Sequence, residues 1–213
     1  MIDLKHRIIF IHIPKTAGTA VERYFLSLRG LGWAERGALG IFANPKDSRL
    51  ARAHQHCTLA QVERLVFGGE ISGDFRIFTV IRHPEKRFLS EWASRRLPPA
   101  RLSPLRVRLP ARVLMRLAER PSPALPDLAS HLLPQSHYLQ DADAAPRVRL
   151  LRHESLAEDF AALQEDWGLP RQPLGRENVS PTRAALSGPA LDGVRSFVRR
   201  FYAEDFERFS YQA

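Results

Sequence analysis

Three short stretches carry side chains whose types and spacing suit chemistry on an anionic ester. Pro14-Lys15-Thr16-Ala17-Gly18-Thr19 lies between an apolar run and a helical pattern, so its main-chain amides open a helix and point at whatever anion sits before it. Gly18 permits close approach and Lys15 adds a full charge. The order is not that of G-x-x-x-x-G-K-[ST]: the lysine precedes the glycine and no earlier glycine is present, which disfavours an ordinary nucleoside triphosphatase. A polar turn between strand and helix is the plain structural alternative. Arg82-His83-Pro84-Glu85-Lys86-Arg87-Phe88-Leu89-Ser90 places Arg82 at a strand end and Ser90 about two turns along the next helix, with Pro84 fixing the corner. Arg87 reads as an ordinary surface partner of Glu91, four residues on. In His54-Gln55-His56, residues two apart in extended chain project to one side. An imidazole that titrates near neutrality can accept a hydroxyl proton. A metal pair completed elsewhere, with Cys57 as one option, and simple helix capping are the alternatives; no further ligand motif accompanies the pair.

These residues need elements to hold them. Arg7-Ile8-Ile9-Phe10-Ile11-His12-Ile13 is a nearly continuous apolar run ended by Pro14, as expected of a strand buried on both faces in a parallel sheet. From Thr19 to Leu28 the apolar residues Ala20, Val21, Tyr24, Phe25 and Leu28 recur at helical spacing. A second unit repeats the plan: Arg76 to Arg82 as strand, then a helix from Pro84 carrying Phe88, Leu89 and Trp92. Ligands of open parallel sheets bind beyond the carboxyl ends of such strands, so both loops are expected to face one crevice. Thr58-Leu59-Ala60-Gln61 has the spacing of a capping box ahead of a short helix with Val62, Leu65 and Val66. Val148 to Leu151 is a candidate strand, Leu156 to Trp167 a helix ended by Gly168, and Leu191 to Phe209 a terminal helix or pair of helices. Residues 170–187 read as loop. The prolines between Leu97 and Pro126 mark an inserted excursion, with a short helical pattern at Ala111 to Ala118. No linker cuts the chain, so a single domain over 1–213 is expected.

The chain has 213 residues, 44% hydrophobic and 26% charged, enough for one sizeable core, which excludes general disorder. No apolar stretch is long enough to span a bilayer, and Met1 to Arg7 lacks the cleavage pattern of a signal peptide. A cytoplasmic protein without membrane attachment is the expectation. The single cysteine, Cys57, allows no disulfide within the chain. Thirty-two Lys and Arg against 23 Asp and Glu give a net charge of +9. Lys occurs only at positions 5, 15, 46 and 86, so the charge is mostly arginine, whose planar fork suits phosphate, sulfate and carboxylate. Between Glu91 and Glu119 stand Arg95, Arg96, Arg101, Arg106, Arg108, Arg112 and Arg116 and no acidic residue, either a landing surface for an anionic glycan or a solvated loop. No nucleic-acid motif is present.

The two anion loops, in this order, resemble those of the sulfotransferase superfamily, in which one loop holds the 5′-phosphosulfate and an R-P-x-x-R-x-x-S-like element holds the 3′-phosphate of 3′-phosphoadenosine 5′-phosphosulfate (PAPS). The resemblance implies a P-loop-like three-layer α/β fold with a central parallel sheet flanked by helices. It implies that Pro14, Lys15, Thr16, Ala17, Gly18 and Thr19 surround the 5′ end of the donor and that Arg82 and Ser90 grip the 3′-phosphate. The H-x-H ahead of a short helix is similar to the uronyl and heparan 2-O-sulfotransferase branch of the carbohydrate sulfotransferases, which assigns His56 as base and His54 as its support or an acceptor contact. Pro134-Gln135-Ser136 and the stretch Arg152 to Phe160 resemble family segments more loosely. In the latter, Glu154 fits a helix brace, and Phe160, Leu163 and Trp167 fit the core. Asn178-Val179-Ser180 resembles a segment near the donor, where Arg183 is available for a phosphate. One departure stands out: the heparan-class 2-O enzymes carry an arginine three residues before the loop lysine, where this chain has His12, so acceptor identity does not transfer.

The expected activity is transfer of a sulfuryl group from PAPS to a carbohydrate or other hydroxyl in one in-line displacement, with no metal. A magnesium-dependent phosphotransferase on the same cradle and a non-catalytic polyanion-binding module are its rivals. Acceptor and oligomeric state are not encoded in these motifs.

Overall fold

The computed structural model describes residues 1–41, 55–94, 115–116, 118–119, 126–175 and 188–213. They form a mixed α/β fold around a four-stranded sheet ordered β1-β2-β3-β4: β1 (Ile2–Asp3), β2 (Ile8–Ile11), β3 (Arg76–Ile81) and β4 (Val148–Arg152). The short β1 runs antiparallel to β2, and β2, β3 and β4 are parallel, with Phe10 beside Phe78 and Thr79 beside Leu150. Every residue of β2 is buried, as its unbroken apolar run requires of a strand covered on both faces.

The chain divides into two compact units. The first comprises Met1–Ile81 and His137–Glu177. Helix α1 (Gly18–Leu28) sets Val21, Tyr24 and Phe25 against Ile8, Phe10, Phe78 and Val80 of the sheet. Phe160 and Leu163 of the later helix Leu156–Asp166 join the same cluster. Full burial of each such side chain contributes about 2 kcal/mol. The helix Leu156–Asp166 ends in a Schellman turn: Gly168 takes φ 62°, and the amides of Leu169 and Gly168 donate to the carbonyls of Gln164 and Glu165. Thr58 caps α2 (Leu59–Val62) in a reciprocal box with Gln61. Where the periodicity predicts continued α-helix, residues Glu63–Phe67 widen into a π turn, and the Glu63 carboxylate accepts from the amides of Asp143 and Ala144.

The second unit comprises Arg82–Ser136 and Asn178–Ala213. It contains α3 (Pro84–Ser94) and α4 (Pro126–Leu132); the helix Leu156–Asp166 is then α5, and α6 (Pro189–Phe201) and α7 (Ala203–Arg208) close the chain. Its core joins Phe88 and Trp92 of α3 to Val194, Phe197 and Val198 of α6, with Tyr202 and Phe206. The terminal pattern therefore resolves as two helices. Most of the proline-rich excursion lies outside the described residues, although Met115 and Ala118 contribute to this core. Among the described residues no helix is long and apolar enough to cross a membrane.

Candidate active site

In the first unit, the loop leaving β2 is built on two left-handed residues that are not glycine: Lys15 with φ 68° and Ala17 with φ 70°. Each costs an L-residue on the order of 1 kcal/mol. Such alternation turns successive amides toward one side, a concavity suited to an anion, and strain of this kind concentrates at functional sites. Ala17 is also the N-cap of α1 and has no side-chain cap to offer; the Ala20 amide donates to the Ala17 carbonyl at 3.0 Å, and the amides of Gly18 and Thr19 before it open the helix, where an outside acceptor is favoured. Thr16 is fully buried, and its hydroxyl donates to the Ile13 carbonyl at 2.7 Å; it shapes the loop rather than presenting a side chain. Lys15 and Thr19 are half-buried.

Gly18 is obligatory for a local reason. A Cβ at that position would fall inside the His12 imidazole. The His12 ring is stacked on Phe10 at 5.6 Å and meets the His56 ring edge-on at 4.7 Å. Its Nδ1 bonds Glu22 Oε1 of α1 at 2.7 Å, and Gln55 Nε2 donates to Glu22 Oε2 at 2.9 Å. Burial pushes the Glu22 carboxyl up, but His12, the N-terminal ammonium and the Gln55 hydrogen bond together hold this group below its ordinary value. His56 Nδ1 lies 3.0 Å from the His12 carbonyl oxygen. A carbonyl only accepts, so Nδ1 carries the proton and, in the neutral ring, Nε2 carries the lone pair. Such an imidazole can act as a base at Nε2.

In the second unit, Arg82 follows β3 directly and is held by its main chain. The Gln135 side-chain amide accepts from Arg82 N at 2.9 Å and donates to Arg82 O at 2.8 Å, as a neighbouring strand would. Gln135 is itself fixed, because its amide and that of Ser136 donate to the two Asp205 oxygens at 2.9 and 2.8 Å; all three residues are fully buried. Ser90 is half-buried on α3. Arg87 departs from its expected surface pairing. It and Glu91 are 3% and 1% exposed; Arg87 Nη2 donates to the carbonyls of His131 and Leu133, and Glu91 takes His131 Nδ1. Both side chains therefore lie on the inward face of α3, where they brace the end of α4 instead of facing solvent.

Sequence reasoning singled out Pro14 to Thr19, His56, Arg82 and Ser90, and the structure places the loop and His56 in one unit, joined through His12. His54, Arg183 and the Asn178-Val179-Ser180 segment lie outside the described residues, as do all but Arg116 of the seven clustered arginines. Phe160 and Leu163 are core as expected, and Trp167 packs against it; the start of α5 is tied by Asp159, which accepts from the Arg152 amide. Two supports went unread, the His12–Glu22 pair and the Gln135 clamp. The signal for the first was a histidine ending an otherwise apolar buried strand, which demands a polar partner.

The fold, with its strained loop after β2, is that of a P-loop-like α/β protein. The chain matches the model of the sulfotransferase family over residues 1–212 and belongs to that family. No curated protein and no solved structure gave a significant match.

Proposed function

We propose that this chain moves a sulfuryl group from PAPS to a hydroxyl of a carbohydrate acceptor. The observation that carries the reading is the loop from Lys15 to Thr19, whose two left-handed residues suit a phosphosulfate. PAPS, when bound, supplies a sulfuryl group already activated on a phosphate. Lys15 and the amides opening α1 hold that end and set positive charge where the leaving phosphate oxygen becomes anionic. Arg82 and Ser90 take the 3′-phosphate, and binding there orients the donor away from the bond that breaks. His56 accepts the acceptor's hydroxyl proton at Nε2 while the oxygen bonds sulfur and the sulfur–phosphate oxygen bond breaks in line. The family resemblance adds His54, as support for His56 or as an acceptor contact, and Arg183, as a partner for a phosphate. The net charge of +9 favours an anionic glycan as acceptor.

Incubation with 35S-labelled PAPS and a panel of polysaccharides and small alcohols tests this. Label is expected on a glycan hydroxyl without added metal. In Lys15→Ala the chemical step should lose about 3 kcal/mol, a rate loss on the order of a hundredfold. Unchanged turnover in that variant would remove the assignment.

A further inference from the structure

The His56 ring is oriented by an acceptor that is itself anchored elsewhere. The His12 carbonyl that takes His56 Nδ1–H belongs to a residue whose imidazole is bonded to Glu22 Oε1. The other oxygen of that carboxylate holds Gln55, the residue immediately before His56. One carboxylate thus grips the chain on both sides of the imidazole: the residue that supplies its hydrogen-bond acceptor and the residue that precedes it. Glu22 is fully buried and His12 is 5% exposed. A buried pair of this kind adds little net stability compared with apolar packing, and here both of its attachments lead to the same ring.

We propose that Glu22 is a positioning residue for His56, acting through His12 and Gln55 to keep the Nδ1–H tautomer and leave Nε2 as the proton acceptor. The inference rests on the reading of His56 as the base. Without the carboxylate, His12 and Gln55 lose their common anchor and the ring is no longer confined to one tautomer and one direction. Turnover then falls while the donor is still bound, because Glu22 itself offers nothing to a nucleotide.

The test uses the full chain labelled with 15N-histidine, in which long-range 1H–15N correlations report the tautomer of each ring and His56→Ala assigns the His56 signals. The wild type should show Nδ1–H. Glu22→Gln should show mixed tautomers for His56, a kcat lowered about tenfold, and a KM for PAPS changed by no more than about twofold. An Nδ1–H tautomer and a wild-type kcat in Glu22→Gln would overturn the proposal. If that variant does not fold, Gln55→Ala cuts one of the two ties from a half-buried position; a smaller change in the same direction is expected, and wild-type tautomer and turnover there would be equally fatal. Full activity in His56→Ala would instead remove the base while leaving the tautomer shift in Glu22→Gln intact, so the two failures are distinct.

Discussion

The loop after β2 and the corner after β3 begin alike, each at the carboxyl end of a parallel strand with a proline close behind, yet they are held in different ways. The first is held by conformation and contact: two residues in left-handed backbone, and an imidazole resting on a glycine. The second is held by hydrogen bonds from a distance, with Gln135 bonded to the Arg82 main chain and Asp205 bonded to Gln135 and Ser136. A strained loop keeps its shape only while its immediate neighbours fit. A clamped corner keeps its shape only while distant segments of chain are in place. The difference suits their proposed tasks, since a site for charge that develops during reaction gains from rigidity, whereas a remote phosphate needs chiefly a well-aimed arginine.

Breaking the first support should have the largest effect. Gly18→Ala drives a methyl group into His12, and overpacking at so closed a position should cost about 3 kcal/mol; denaturant unfolding would measure it, and sulfuryl transfer should be lost with it. Breaking the second is expected to be milder. Gln135→Ala removes both bonds to the Arg82 main chain and should cost about 2 kcal/mol, and in calorimetry it should weaken binding of 3′,5′-adenosine bisphosphate while leaving 5′-AMP nearly unchanged. The smallest effect sharpens the contrast and has the opposite sign. Ala17→Gly relieves a left-handed residue that contributes no side-chain chemistry, so it should raise stability by up to about 1 kcal/mol; no comparable gain is expected from a glycine in the second corner, where no residue from 82 to 90 has positive φ.

What was legible in the sequence follows the same division. Both strands, the helices after them and the Thr58–Gln61 box rest on periodicity and spacing within a few residues, and each is where the pattern puts it. Lys15 as a charge at a helix start was legible because lysine, glycine and strand are contiguous. The clamp was not, because Gln135 is 53 positions from Arg82 and 70 from Asp205, and nothing local marks a glutamine as a surrogate strand. Arg87 and Glu91 were misread because i, i+4 spacing names a partner without saying which face of α3 turns inward. Glu22 was passed over for a related reason: it falls among the apolar residues of α1, where the pattern predicts core and a carboxylate looks like an interruption.

Calorimetric titration of the metal-free wild type with 3′,5′-adenosine bisphosphate and with 5′-AMP bears most directly on the donor assignment. The bisphosphate should bind at least about tenfold more tightly, as one charge-assisted arginine–phosphate contact provides, and Arg82→Ala should erase that margin. Equal affinities for the two nucleotides in the wild type would contradict a 3′-phosphate site and with it the use of PAPS.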